Sequence, residues 1–294
     1  MNRLSFHEEI KRNKRQSFFL ITIVLAVLLI LVYTIGFALG GDYLFFILIF
    51  GTIFSLIYVV GGYYKSAELA IASVKAKRAT GQNYREYNNI VEGLALASGL
   101  PKPKLYVMDN PQINAFASGR DPQHAVICVT TGALQKLSKH ELEGVLSHEL
   151  SHIANYDIRF MTLTAVLVGM ISIIAQMFLR SLFWSSLGGG ESRDSKGTIF
   201  MIIGIVLAIL APIIVMMVQL AISRKREFAA DSSAVKFTRS PTGLINALKK
   251  IQHNKPMKVS GAIAPLFLAK PHREKEWFQT HPPLSKRIIR LEKM

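Results

Sequence analysis

The chain has 294 residues, half of them hydrophobic and 18% charged, with a formal net charge of +16. With a mean hydropathy of +0.31, this composition excludes an ordinary soluble domain and points to long apolar runs. The positive charge does not mark a nucleic-acid binder, because many of the basic residues flank those runs, where they would set membrane topology and meet anionic lipid.

From the N-terminus, residues 17–39 and 43–64 contain no charged side chain, and each is long enough to cross roughly 30 Å of hydrocarbon. The first run is too long for a signal-peptide core and lacks a small-x-small cleavage site, so it reads as a retained anchor. Arg3, Lys11, Arg12, Lys14 and Arg15 precede this pair, no Lys or Arg stands between its members, and Lys65, Lys75, Lys77 and Arg78 follow. By the positive-inside rule, both ends of the hairpin are cytoplasmic.

Residues 85–98 space Tyr87, Ile90, Val91, Leu94 and Ala95 on one helical face and stop at Gly99 and Pro101. Strand-like runs follow at 104–108, 113–118 and 125–130, separated by Asp109-Asn110-Pro111 and Gly119-Arg120-Asp121-Pro122. They predict a small, mostly antiparallel sheet. The single cysteine, Cys128, excludes an internal disulfide and fits a reducing compartment; its apolar neighbours predict a buried strand thiol. Ser138 and Glu141 form a capping-box pattern that opens a helix running to about Asn155, with Leu142, Val145, Leu146 and Leu150 on its apolar face.

Two further spans are predicted at 160–179 and 198–222, joined by a Gly-rich external loop around Gly188, Gly189 and Gly190. Arg180, Arg193 and Lys196 in that loop are offset by Glu191 and Asp194, whereas Arg224, Lys225 and Arg226 follow the fourth span together, so this hairpin also returns to the cytoplasm. Residues 223–237 read as helix, Ser240-Pro241 opens another, and 254–280 read as irregular. The expected organisation is therefore a first membrane hairpin within 1–64, then a cytoplasmic catalytic domain in two parts, 65–159 and 223–294, interrupted by a second hairpin at 160–222.

The chemistry is carried by His148-Glu149-Leu150-Ser151-His152. Two histidines four apart lie one helical turn from each other, so their imidazoles can converge on one ion with a carboxylate beside them. Zinc accepts imidazole nitrogen and carboxylate oxygen, and a catalytic site keeps one position for a water whose pKa falls toward about 7. Glu149 would take that water's proton and return it to a leaving amine. Glu227 and Asp231, again one turn apart, admit two readings: an ordinary charged helix face, or a third ligand with a carboxylate behind it that fixes the tautomer of a ligating imidazole.

With these residues the chain resembles the HtpX heat-shock membrane proteases, a branch of the gluzincin metallopeptidases. The likeness runs over nearly the whole chain and is carried by Asn114-Ala115-Phe116-Ala117-Ser118-Gly119, the stretch from His148 to Asp157, the Glu227-x-x-x-Asp231 segment, and His281-Pro282-Pro283 followed by Arg287-Ile288. It implies one zinc ion held by His148, His152 and Glu227, with Glu149 as general base and Asp231 supporting a ligand. It also implies an edge strand in which Asn114, Ala115, Phe116 and Ala117 bind an extended substrate. His281 would help stabilise the oxyanion and Arg287 would approach the substrate. The implied fold is a mainly α membrane protein, four transmembrane helices with a cytoplasmic α+β zinc-peptidase domain. The implied role is quality control of misfolded or membrane proteins at a bacterial plasma membrane.

Spacing adds one expectation independent of the resemblance. About eight residues separate His152 from the third span and five separate the fourth span from Glu227, which as helix is about 12 Å and 8 Å. The metal would therefore lie close to the cytoplasmic membrane surface. Two other readings compete: processing of prenylated C-terminal motifs, against which four spans and a compact length argue, and a scaffold or chaperone with structural zinc, which has no use for Glu149 beside a ligand.

Overall fold

The computed structural model describes residues 41–162, 224–254, 257, 266–268 and 282–294, with scattered helical positions between 15 and 30. The first expected span is described only at those scattered positions. The third beyond residue 162, the Gly-rich loop, the fourth span and His281 lie outside the described residues, as does most of 254–280. Helix α1, Gly41–Tyr64, covers the residues expected as the second span: 24 residues, with Phe45, Phe46, Phe50, Phe54 and Ile57 exposed. Among residues described in full, side chains included, no helix is long and apolar enough to cross a membrane.

After a short helix α2 (Ser66–Ser73) and strand β1 (Lys77–Arg78), helix α3 (Arg85–Ser98) forms where the apolar spacing predicts it. It buries Tyr87, Ile90, Val91, Leu94 and Ala95 and ends on Gly99 in the left-handed conformation, φ +69°. Strands β2 (Lys104–Met108), β3 (Ala115–Ser118) and β4 (Val126–Thr130) complete a four-stranded sheet ordered β1-β2-β4-β3. Here the antiparallel expectation is corrected. β1 with β2 and β3 with β4 are antiparallel, but β2 and β4 are parallel. The two turns reverse the chain twice, so β4 runs in β2's direction. β4, buried along its whole length, takes the central place that a strand covered on both faces can fill. β3 is left at the edge.

The sheet alternates its side chains between two apolar clusters, as a pleated strand must. Leu105, Val107, Ala115, Ala117, Ile127 and Val129 face the larger one, which takes in Leu142, Val145, Leu146 and Leu150 of the next long helix. Met108, Phe116, Val126 and Cys128 face the second, closed by Ala67, Ala70 and Ile71 of α2. Burial pushes the Cys128 thiol up to about 12, consistent with an inert core residue.

A short helix α4 (Thr131–Lys136) leads to α5, Lys139–Ala154, whose capping box is formed in full: Ser138 Oγ accepts from Glu141 N, and Glu141 Oε2 accepts from Ser138 N at 2.7 Å. Tyr156, at φ +59°, breaks the helix, and residues 157–162 resume it on a new axis. α6 (Arg224–Thr238) and α7 (Thr242–Gln252) pack against α5, and α8 (Leu284–Leu291) against both. α7 starts at Thr242, one residue later than the Ser240-Pro241 pattern predicts, and Ser240 Oγ accepts from Thr242 N, 3.3 Å away, as a capping serine does. The approach of α5 to α7 is backbone-close: a Cβ at Gly144 would strike the Leu244 backbone, and one at Gly243 the carbonyl of His140.

Candidate metal centre and active site

α5 is buried almost throughout its C-terminal half, including Ser147, His148, Glu149, Ser151 and His152. Ser147 and Ser151 satisfy their hydroxyls on the helix itself, donating to the carbonyls of Gly144 and Ser147. The two histidines are thereby left as the polar groups directed at α6. Their Nε2 atoms lie 3.1 Å apart, with rings nearly perpendicular at 88°. From α6, Glu227 brings Oε2 to 3.7 Å from His148 Nε2 and Oε1 to 3.7 Å from His152 Nε2. One ligand atom from each of the three residues falls within 4.8 Å of the others, so two elements far apart in sequence close a three-ligand cluster.

Each imidazole is held from behind. His148 Nδ1 lies 3.0 Å from Asp231 Oδ1, and His152 Nδ1 lies 3.1 Å from Asp157 Oδ2. A carboxylate on Nδ1 keeps the proton there and turns the Nε2 lone pair toward the cluster, the arrangement of a metal-ligating histidine. Asp157 was not among the residues that sequence spacing singled out. It follows the break at Tyr156, where helical periodicity no longer says which way a side chain points.

Arg287, on α8, is fully buried. Its Nε and Nη2 donate to both oxygens of Asp231 at 2.9 and 2.6 Å, and Nη1 lies 3.2 Å from Glu227 Oε2. The structure thus places it behind the ligands, gripping Asp231 with a bidentate fork. Arg226 lies 3.5 Å from Asp157 and stacks its guanidinium over Phe160 at 4.3 Å.

Burial, with Arg287 nearby, pushes His148 down to about 4, so it is neutral. Burial also acts to lower His152, but Asp157 and Glu227 outweigh it and hold it up at about 9, so without a metal its Nε2 carries a proton that a bound cation would displace. Burial raises Glu149 to about 7, near the poise of a general base at neutral pH. The Ala117 backbone N–H acts in the opposite sense, favouring the ionised form, and α5 packs against the edge strand β3. Asn114, Ala115, Phe116 and Ala117 are all buried on or beside that strand.

The donor set suits a divalent cation. Glu149, Asp157, Glu227 and Asp231 bring four buried carboxylates against the two buried guanidinium groups of Arg226 and Arg287, and the surplus of carboxylates holds a proton on His152 that a cation would replace. Imidazole nitrogen with carboxylate oxygen is a borderline set that zinc accepts readily. We expect Asp157→Ala to weaken metal binding by about 10- to 100-fold, the usual effect of removing a ligand's support. Competition against a chelating dye on the full-length protein measures this; unchanged affinity would remove Asp157 from the site.

Residues 82–294 match the model of Peptidase family M48. A protease HtpX homolog of Caldanaerobacter subterraneus subsp. tengcongensis is 46% identical over 254 residues, 84% of each chain. One from Dictyoglomus turgidum is 40% identical over 303 residues, covering 100% of this chain and 96% of the relative. Among solved structures, S. mikatae Ste24p aligns with 97% of this chain and 66% of its own at 20% identity, with a TM-score of 0.49. With its paired histidines, the converging glutamate and these relatives, the chain belongs to peptidase family M48, among the HtpX-type metalloproteases.

Proposed function

We propose that this chain is a zinc-dependent, membrane-integrated endopeptidase that cleaves unfolded or membrane-anchored polypeptides on the cytoplasmic face of a bacterial plasma membrane, as part of membrane-protein quality control. The observation that carries the reading is the conjunction at α5. A cluster of three residues that could hold a metal stands beside a buried carboxylate, and the helix that carries this carboxylate packs against an edge strand. Structural metal sites have no use for the last two features.

A zinc ion held by His148, His152 and Glu227 would supply Lewis acidity to the scissile carbonyl and acidify a water. Glu149 receives the water's proton and transfers it to the departing amine. Asp231 and Asp157 keep the two imidazoles in the ligating tautomer, and Arg287 holds Asp231 and Glu227 in place. The outward edge of β3 presents main-chain groups with which an extended substrate pairs, independent of side-chain identity.

Contacts around α1 support a membrane setting for the site. Arg120, two residues past β3, donates from Nη1 to the Tyr64 carbonyl at 3.1 Å and lies over the Tyr64 ring at 4.9 Å. Arg159 lies over Tyr63 and Tyr156 and donates to the Arg120 carbonyl at 2.9 Å. Ser118 Oγ is 3.1 Å from Thr162 Oγ1. Tyrosine and arginine are the side chains that settle at a bilayer interface. In this reading the substrate strand is tied to the ends of both hairpins, with 65–159 and 223–294 forming one cytoplasmic catalytic unit.

The test uses the full chain purified in detergent. We expect one zinc per chain and cleavage of an unfolded polypeptide that stops on chelation and returns with added zinc. In reconstituted vesicles, the same sequence should be cut faster when tethered beside a transmembrane helix than when free. Cleavage that survives complete metal removal would refute the reading.

A further inference from the structure

The outward edge of β3 is already engaged by this chain. Thr130 N donates to Asn114 O at 3.1 Å, and in an antiparallel ladder the alternation that follows turns the main-chain groups of Ala115 and Ala117 away from β4. Ala115 O accepts the N–H of Leu268 at 2.9 Å. Two residues along the edge from Ala117, the chain therefore pairs with itself.

Side chains follow the pairing. Phe267 packs edge-to-face on Phe116 with ring centroids 4.9 Å apart. Leu266 and Phe267 join the apolar cluster on one face of the sheet and Leu268 the cluster on the other. The segment thus closes over both faces of the sheet at the β3 edge. Among the described residues, this one main-chain hydrogen bond joins the segment to β3. Prolines at 265 and 271 cannot donate to a ladder and keep the paired stretch short.

We propose that Leu266, Phe267 and Leu268 are the resident occupant of the substrate edge, an internal competitor that an incoming polypeptide must displace. This rests on the peptidase reading above for its consequence, but the contact stands by itself. The ligand class follows from what the occupant fills: an extended segment carrying a large apolar side chain, Phe or Leu, at the position of Phe267, where it would pack on Phe116. A substrate strand spanning Ala115 to Ser118 makes more main-chain bonds than the occupant does, so a well-unfolded apolar segment wins and a folded or polar one does not.

The measurement is binding of a fluorescent peptide with the sequence of residues 264–270 to full-length zinc-loaded protein in detergent, followed by anisotropy. The background is Glu149→Gln, so that nothing is cleaved. With a resident occupant leaving the edge open in about a tenth of molecules, release raises apparent affinity about tenfold. Adding Phe267→Ala, or Leu268→Pro, which deletes the donor to Ala115, is expected to lower Kd by that factor. With Glu149 restored, Phe267→Ala should lower KM for an unfolded substrate similarly, with kcat unchanged. Equal peptide affinity with and without the substitutions would overturn the proposal, as would failure of both variants to fold, since the segment would then be core. Should Leu268→Pro alone fail to fold, Phe267→Ala decides. Tighter peptide binding without any cleavage would sink the peptidase reading and leave the occupant standing; cleavage with unchanged binding would do the reverse.

Discussion

Replacing Glu149 with glutamine is expected to lower kcat by about 10³-fold, within the range that a positioned general base contributes, while zinc content stays at that of the parent. Glutamine has the same shape and keeps an acceptor oxygen, so substrate binding and KM should change little. Stability moves in the opposite sense from activity. Burial raises the Glu149 carboxyl from 4.5 to about 7, so in the metal-free protein its ionisation costs stability as pH rises through that window, and the neutral amide escapes the cost. The variant should therefore melt no lower than the parent at pH 8. Parallel measurements of kcat, bound zinc and melting temperature separate a lost proton acceptor from a lost ligand: loss of zinc along with activity would make Glu149 part of the metal cluster instead.

Arg287→Ala should produce the largest change in stability. The guanidinium is fully buried and serves Asp231 and Glu227 together. Burial works to lower its pKa, but those two carboxylates raise it further above its usual value. Removing it strands two buried carboxylates, and breaking such a pair costs about 3–5 kcal/mol. Arg287→Lys keeps the charge but loses the two-pronged grip on Asp231, so it should fall between the parent and Arg287→Ala. Metal affinity should fall in the same order, because Asp231 orients His148 and Arg287 orients Asp231. An arginine that only contacted substrate would raise KM and leave the melting temperature where it was. That outcome would return Arg287 to the substrate-binding role implied by the resemblance.

The candidate metal cluster was legible in sequence because its first half obeys a local rule. His148 and His152 are one turn apart on a helix whose start is marked by a capping box, and nothing from the rest of the molecule is needed to bring their nitrogens together. Glu227 and Asp231 obey the same rule on α6, although spacing alone could not tell a ligand pair from a charged surface. That stripe lies in the core, with Ala230 and Ala234 buried beside it, and a polar stripe in a core leaves no apolar periodicity to read.

Other features depended on the assembled fold. The sheet order put β4 inside and β3 at the edge, which no count of turns predicts, since both antiparallel and parallel neighbours satisfy the same strand sequences. Asp157 reaches His152 only because the chain turns at Tyr156. Arg287 occupies the buried face of α8 with Ile288 and Leu291, a position that charge alone argues against until its two carboxylates are in place.

The amino-acid sequence by itself determined the apolar runs, the helix and the convergence of the paired histidines, because each depends on spacing within one or two turns of chain. Only the tertiary structure decided which carboxylates stand behind the ligands, which strand faces Glu149 and what already lies along that strand. Those pairings join residues such as Arg287 and Asp231, or Leu268 and Ala115, that are 56 and more positions apart. Their energies come from burial and mutual neutralisation, which exist only once the chain has closed around them.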